Sequence, residues 1–106
     1  MDADEFIFIR DSNDVRRFKL DDILFAEAIG NFVKLYTVQK FFAIHTTLKA
    51  VEEILLTSKF IKIHRSYIVA IIKIDTIKDG ALVVNGKSLP EADTFRAELN
   101  KRMNIL

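Results

Sequence analysis

Along most of this chain apolar and polar residues alternate in runs too short for helices. EFIFIR (5–10), VRRFKL (15–20), DILFAEA (22–28), NFVKLYTV (31–38) and KFFAIHT (40–46) each set apolar or β-branched residues at every second position or in a brief unbroken run. That is the pattern of strands half or fully buried in a sheet. Asp11-Ser12-Asn13-Asp14 and Gly30-Asn31 supply turn chemistry between them, while Asp79-Gly80 and Asn85-Gly86 bracket ALVV as two-residue hairpin signals. The second half then reads as a meander through KIDTI, ALVV and KSL.

Two segments change period. TTLKAVEEILLT (46–57) places Leu48, Val51, Ile54 and Leu55 on one helical face, with Thr46 or Thr47 as candidate N-cap. After Leu89-Pro90, EADTFRAELNKRM sets Ala92, Phe95, Leu99 and Met103 at three- and four-residue spacing, with Pro90 near the first helical position and acids in the first turn. The expected fold is therefore mainly β, in small antiparallel sheets, with a short helix after residue 46 and a C-terminal helix. At 106 residues, half of them hydrophobic and with no repeat or linker, the chain reads as one domain over 1–106.

Composition narrows the chemistry. The chain has no cysteine, which excludes disulfides, thiolate metal sites and cysteine nucleophiles. His45 and His64 are nineteen residues apart with no Gly-rich phosphate loop, so no metal, nucleotide or other cofactor is expected. His64 and Ser66 have hydrolase residue types, yet Gly-x-Ser-x-Gly is absent and a strand or turn offers no nucleophile elbow, so no enzyme is expected. No apolar run approaches the roughly 18 to 20 residues of a membrane span and the acidic start is no signal peptide, which points to the cytoplasm.

Net charge is only +1, but the charges are segregated. Residues 1–27 carry four basic and eight acidic side chains, residues 28–74 seven basic and two acidic, and residues 75–106 five of each. Both histidines lie in the basic middle, and its only acids are Glu52 and Glu53. A localised positive face suits a polyanion. Its densest part is KFIKIHRSYIVAIIKI (59–74), sixteen residues without an acid. On a regular strand Lys62 and His64 share one face, Ile61 and Ile63 take the other, and the pattern breaks at Arg65-Ser66. A bend there projects a guanidinium fork, a hydroxyl and an imidazole, groups that donate to phosphate oxygens or base edges. For His64 the competing role is a cross-strand hydrogen bond that satisfies buried backbone.

Three blocks in order, DILFAEAIGNFVKLYT (22–37), TTLKAVEEIL (46–55) and FIKIHRSYIVA (60–70), together with Leu-Pro before a helix, resemble the LytTR-type DNA-binding domain, the output end of many bacterial response regulators. The resemblance spans nearly the whole chain. It implies about ten short strands with little helix, and loops rather than a recognition helix entering successive major grooves of a bent duplex. It also implies a receiver domain upstream, a sensor kinase, and dimeric binding to promoter direct repeats. Carried over by position, the DNA-facing residues are Asn31 and Lys34 in the first block, Thr46 and Thr47 at the helix entry with His45 beside them, and Lys62, His64, Arg65 and Ser66 in the third. Turn formation is the competing role for Asn31, and helix capping for the threonines. Two departures weigh against base readout from the C-terminal loop: Ala70 replaces a common asparagine, and in EADTFR (91–96) an alanine and Asp93 stand where a serine and a base-reading arginine are often found. These departures favour the alternative function, an interaction module that keeps the fold but binds protein or small ligands.

Overall fold

The computed structural model describes residues 5–55 and 59–103. Ten strands form three antiparallel sheets. A ribbon pairs β1 (Phe6–Asp11) with β2 (Asp14–Lys19). The central sheet contains β3 (Ile23–Ile29), β4 (Phe32–Thr37), β5 (Phe41–Ile44), β6 (Phe60–His64) and β7 (Tyr67–Ala70), in the order β5-β4-β3-β7-β6. A meander holds β8 (Ile74–Lys78), β9 (Ala81–Val84) and β10 (Lys87–Pro90). Helix α1 (Leu48–Ile54) connects β5 to β6, and α2 (Asp93–Arg102) follows β10.

The central sheet is covered on both faces, which is why its strands are richer in apolar residues than strict alternation would give. On one face Ala26, Val33, Leu35, Ile44 and Ile68 pack against Ile9 and Phe18 of the ribbon and Leu48, Val51 and Leu55 of α1. On the other, Phe25, Ile61, Ile63 and Val69 pack against Leu82, Val84 and Leu89 of the meander and Leu99 of α2. Three layers thus share two cores.

The expected mainly β fold, small antiparallel sheets and two helices are all present, most strand boundaries falling within two residues of those expected. Thr47 is the N-cap of α1: its Oγ1 accepts a hydrogen bond from the Ala50 amide at 3.1 Å. Leu48, Val51 and Leu55 are buried, but Ile54 is exposed, because it lies about 100° round the helix from Leu55, at the margin of the stripe. Residues 56 and 57 of the expected helix lie outside the described residues. Pro90 does not start α2 but ends β10, and Ala92 takes the cap position. Because β10 is an edge strand, the missing proline N–H costs no inner ladder bond.

Candidate nucleic-acid interface

The strand order gathers distant sequence at one end of the central sheet. Because neighbours run antiparallel, the C-terminal ends of β3, β5 and β6 and the starts of β4 and β7 all lie there. Three connections therefore stand side by side: Gly30-Asn31 between β3 and β4, Arg65-Ser66 between β6 and β7, and His45-Thr46-Thr47 between β5 and α1. The Ala28 amide donates to the Ser66 carbonyl at 2.8 Å, locking two of these turns together. With strands about 4.8 Å apart, the centres of the two hairpin turns are roughly 10 Å from each other.

The Gly30-Asn31 hairpin closes with two loop residues between the pair Ile29 and Phe32. Gly30 takes φ +56°, which a two-residue hairpin of this twist requires at its first position, and Asn31 is left exposed at the tip. A groove of about 340 Å³ runs between this turn and the helix entry, lined by Gly30, Asn31, Phe32, His45, Thr46 and Thr47 among others. The exposed His45 ring stacks on Phe32, with centroids 4.2 Å apart and planes at 24°. Its backbone amide donates to Asp11 Oδ1 at 3.2 Å, fastening the ribbon tip to the rim. Although Thr47 Oγ1 accepts as the cap, its hydroxyl hydrogen remains able to donate outward.

The β6–β7 corner is built differently from a regular hairpin. Lys62 pairs with Ile68, but His64 pairs with Tyr67, so a β-bulge lies between them. Cross-strand partners share a face. Lys62 therefore joins Ile68 on the α1 side, where its Nζ is 3.8 Å from Glu52 Oε1. His64 instead stands beside Tyr67 on the opposite side, in edge-on contact at 5.8 Å between ring centroids. This corrects the expectation that Lys62 and His64 share a face: one extra residue reverses the alternation. His64 Nδ1 accepts the Ser66 amide at 3.1 Å, so in the neutral ring Nε2 carries the hydrogen and is the donor left for a ligand. Arg65 is exposed at the tip.

Lys34 is half-buried on the His64 side of the sheet, opposite Glu27, with its Nζ 4.7 Å from the Phe41 ring centroid. Glu27 is a residue the sequence did not single out. Its carboxylate accepts from the Tyr36 hydroxyl at 3.2 Å and the Tyr67 hydroxyl at 2.5 Å, tying β4 to β7 through β3. Only the finished sheet shows this, since nine and forty residues separate the partners. Burial, then the Glu27 hydrogen bond and charge, push the Tyr67 hydroxyl up from 10.0 to about 12. The unfolded chain therefore ionises this tyrosine first. Its contribution to stability is complete below pH 10 and disappears as pH rises towards 12. Urea unfolding across that range should show this loss in the parent chain, and Tyr67→Phe should lack its share of the slope.

The C-terminal segment reaches the same end. The Ala92 amide donates to the Ile63 carbonyl at 2.9 Å, so Ala92 and Asp93 sit beside the β6–β7 corner. Asp93 is exposed and its carboxylate pairs with Arg96 at 3.2 Å, while Arg96 Nε lies 3.6 Å from the buried Glu91. The segment thus brings an acid to the rim and holds its nearest arginine in ion pairs.

A family model described as the LytTr DNA-binding domain matches residues 13–104. The chain belongs to the LytTR family. The LytTr DNA-binding domain of a Bacillus cereus protein, described as a methyl-accepting/DNA response regulator, has a similar solved structure. The TM-score is 0.73 over 92% of this chain and 94% of that one, at 17% sequence identity, so the likeness is one of fold. No curated protein matches the chain. Among the described residues of this LytTR domain no three His, Cys, Asp or Glu side chains cluster as a metal site, and no helix is long and apolar enough to cross a membrane.

Proposed function

We propose that this LytTR domain binds double-stranded DNA sequence-specifically as the effector of a transcriptional response regulator, through the turns at one end of its central sheet. The observation that carries the reading is the convergence there of Gly30-Asn31, His45–Thr47 and Arg65-Ser66, three segments far apart in sequence. Turns about 10 Å apart lie well inside the roughly 34 Å of one duplex turn, so both face one duplex at once. Arg65 and Asn31 are the exposed tips suited to base edges in the major groove. Thr46, Thr47, His45 and Ser66 offer shorter donors suited to phosphate oxygens, with Lys34 and Lys62 set back on the two faces as cationic flanks. The role is binding rather than catalysis, and it needs no cofactor.

The wider assembly follows from the same reading: the single domain over 1–106 acts as the output of a cytoplasmic two-component system. A receiver domain upstream answers a sensor kinase, and two copies engage promoter direct repeats. Selection of a preferred duplex from random DNA, followed by gel shifts, tests the central claim. Arg65→Ala should cost about 1–3 kcal/mol on the selected duplex and flatten discrimination at one base position. A uniform loss over all sequences would reassign Arg65 to phosphate. Failure to enrich any duplex would favour the second reading, an interaction module binding protein or small ligands, which the acidic Asp93 beside the corner supports.

A further inference from the structure

We propose that the outward face of the β1–β2 ribbon is a docking surface for an extended segment of a partner protein that mixes acidic and apolar side chains. The ribbon's register sorts its residues. Ile7 with Phe18, Ile9 with Arg16 and Asp11 with Asp14 make the inward face, whose Ile9 and Phe18 are buried against the central sheet. Phe6 with Lys19, Phe8 with Arg17 and Arg10 with Val15 make the outward one. There Phe6, Phe8 and Val15 are 42%, 59% and 52% exposed, an apolar strip left uncovered on one face of the ribbon. The Arg17 guanidinium lies 4.8 Å from the Phe6 ring centroid. None of these six paired residues is acidic, although residues 1–27 are acidic in sum.

The chemistry selects a protein over nucleic acid. Arginine and phenylalanine around an apolar strip are what protein interfaces use at their centres. A duplex would satisfy the cations but keeps its bases stacked, so it has nothing to cover Phe6 and Phe8. The ribbon tip also carries Asp11 and Asp14 between this face and the sheet end, where they repel phosphate. Among the described residues β1 and β2 pair only with each other, so each has an edge on which an extended chain can add main-chain hydrogen bonds. Apolar side chains of such a segment would cover Phe6 and Phe8, and its carboxylates would meet Arg10 and Arg17.

The test is an NMR titration of the isotopically labelled chain with a short synthetic peptide in which Glu and Asp are interspersed with Leu and Phe. The same peptide with Gln and Asn in place of the acids serves as its control. Binding should perturb Phe6, Phe8, Val15 and Arg17, and should weaken at least about tenfold in Phe8→Ser, in Arg17→Glu and with the amide peptide. Both substituted side chains are exposed, so unchanged core resonances confirm the fold, and affinity for the selected duplex should stay within about twofold. The proposal is overturned by no binding, by equal binding of the amide peptide, or by perturbations at the Arg65 end. Displacement of the peptide by duplex would assign the face to nucleic acid, and ribbon shifts that depend on protein concentration alone would assign it to a second copy. Either result also overturns it. The duplex readouts presuppose DNA binding, but the peptide titrations and their controls do not depend on whether the sheet end binds DNA.

Discussion

Raising salt from 50 to 200 mM is expected to weaken binding of the selected duplex by roughly two to three orders of magnitude, with log K falling against log salt at a slope near −4 to −5. The slope reports how many phosphates are neutralised, and the sheet end bounds that number. Arg65 is exposed at the β6–β7 tip, Lys34 and Lys62 flank it, and Lys49 is exposed in the first turn of α1 next to Thr47. Arg16, whose Nε lies 3.7 Å from the Asp11 carboxylate that accepts the His45 amide, brings the total to about five. The Lys62–Glu52 pair at 3.8 Å competes with DNA for one of these cations. Glu52→Gln should therefore tighten binding at low salt and leave stability nearly unchanged, because partly exposed pairs contribute about 0–1 kcal/mol. Fluorescence titrations at four or more salt concentrations measure both effects. A flat salt dependence would mean that the sheet end does not engage a phosphate backbone.

Local chemistry was legible in the sequence wherever a residue has few alternatives. Asn85 and Gly86 both take positive φ, at 50° and 82°, as their dipeptide implies for a tight hairpin, and Gly30 does so at the β3–β4 turn. Thr47 caps α1 because a short hydroxyl before an apolar helical stripe has a backbone amide within reach. The strand order was not legible from local pattern. Nothing around residue 28 or residue 66 states that Ala28 will bond Ser66 once β7 is inserted beside β3. The bulge before His64 escaped for a related reason: alternation assumes one residue per position, and Ile63 and His64 break that count. Charge summed over blocks misled most in residues 1–27, which are net acidic. The ribbon register turns Arg10 and Arg17 outward and Asp11 and Asp14 inward, so one segment has a cationic face that no linear count reveals.

Phe25→Ala should cost about 3–5 kcal/mol of folding free energy, a large part of the 5–15 kcal/mol typical of a domain. Phe25 is almost fully buried and sits where three structures meet. Its ring stacks on Tyr36 at 4.2 Å with planes 18° apart, approaches Tyr67 at 6.4 Å, and packs in the core that joins the central sheet to the meander and α2. Truncation leaves a cavity beneath the two tyrosines whose hydroxyls meet at Glu27. At roughly 4–8 °C per kcal/mol for a domain of this size, the melting temperature should fall by more than 10 °C. DNA discrimination should fall as well, at temperatures where the variant remains folded. Tyr67 braces His64, which in turn holds the Ser66 amide beside Arg65. Phe25→Leu, which refills part of the space without the stacking surface, should recover much of the stability but less of the discrimination. Equal recovery of both would show that core volume alone, and not the aromatic stack under the corner, sets the geometry of the Arg65 turn.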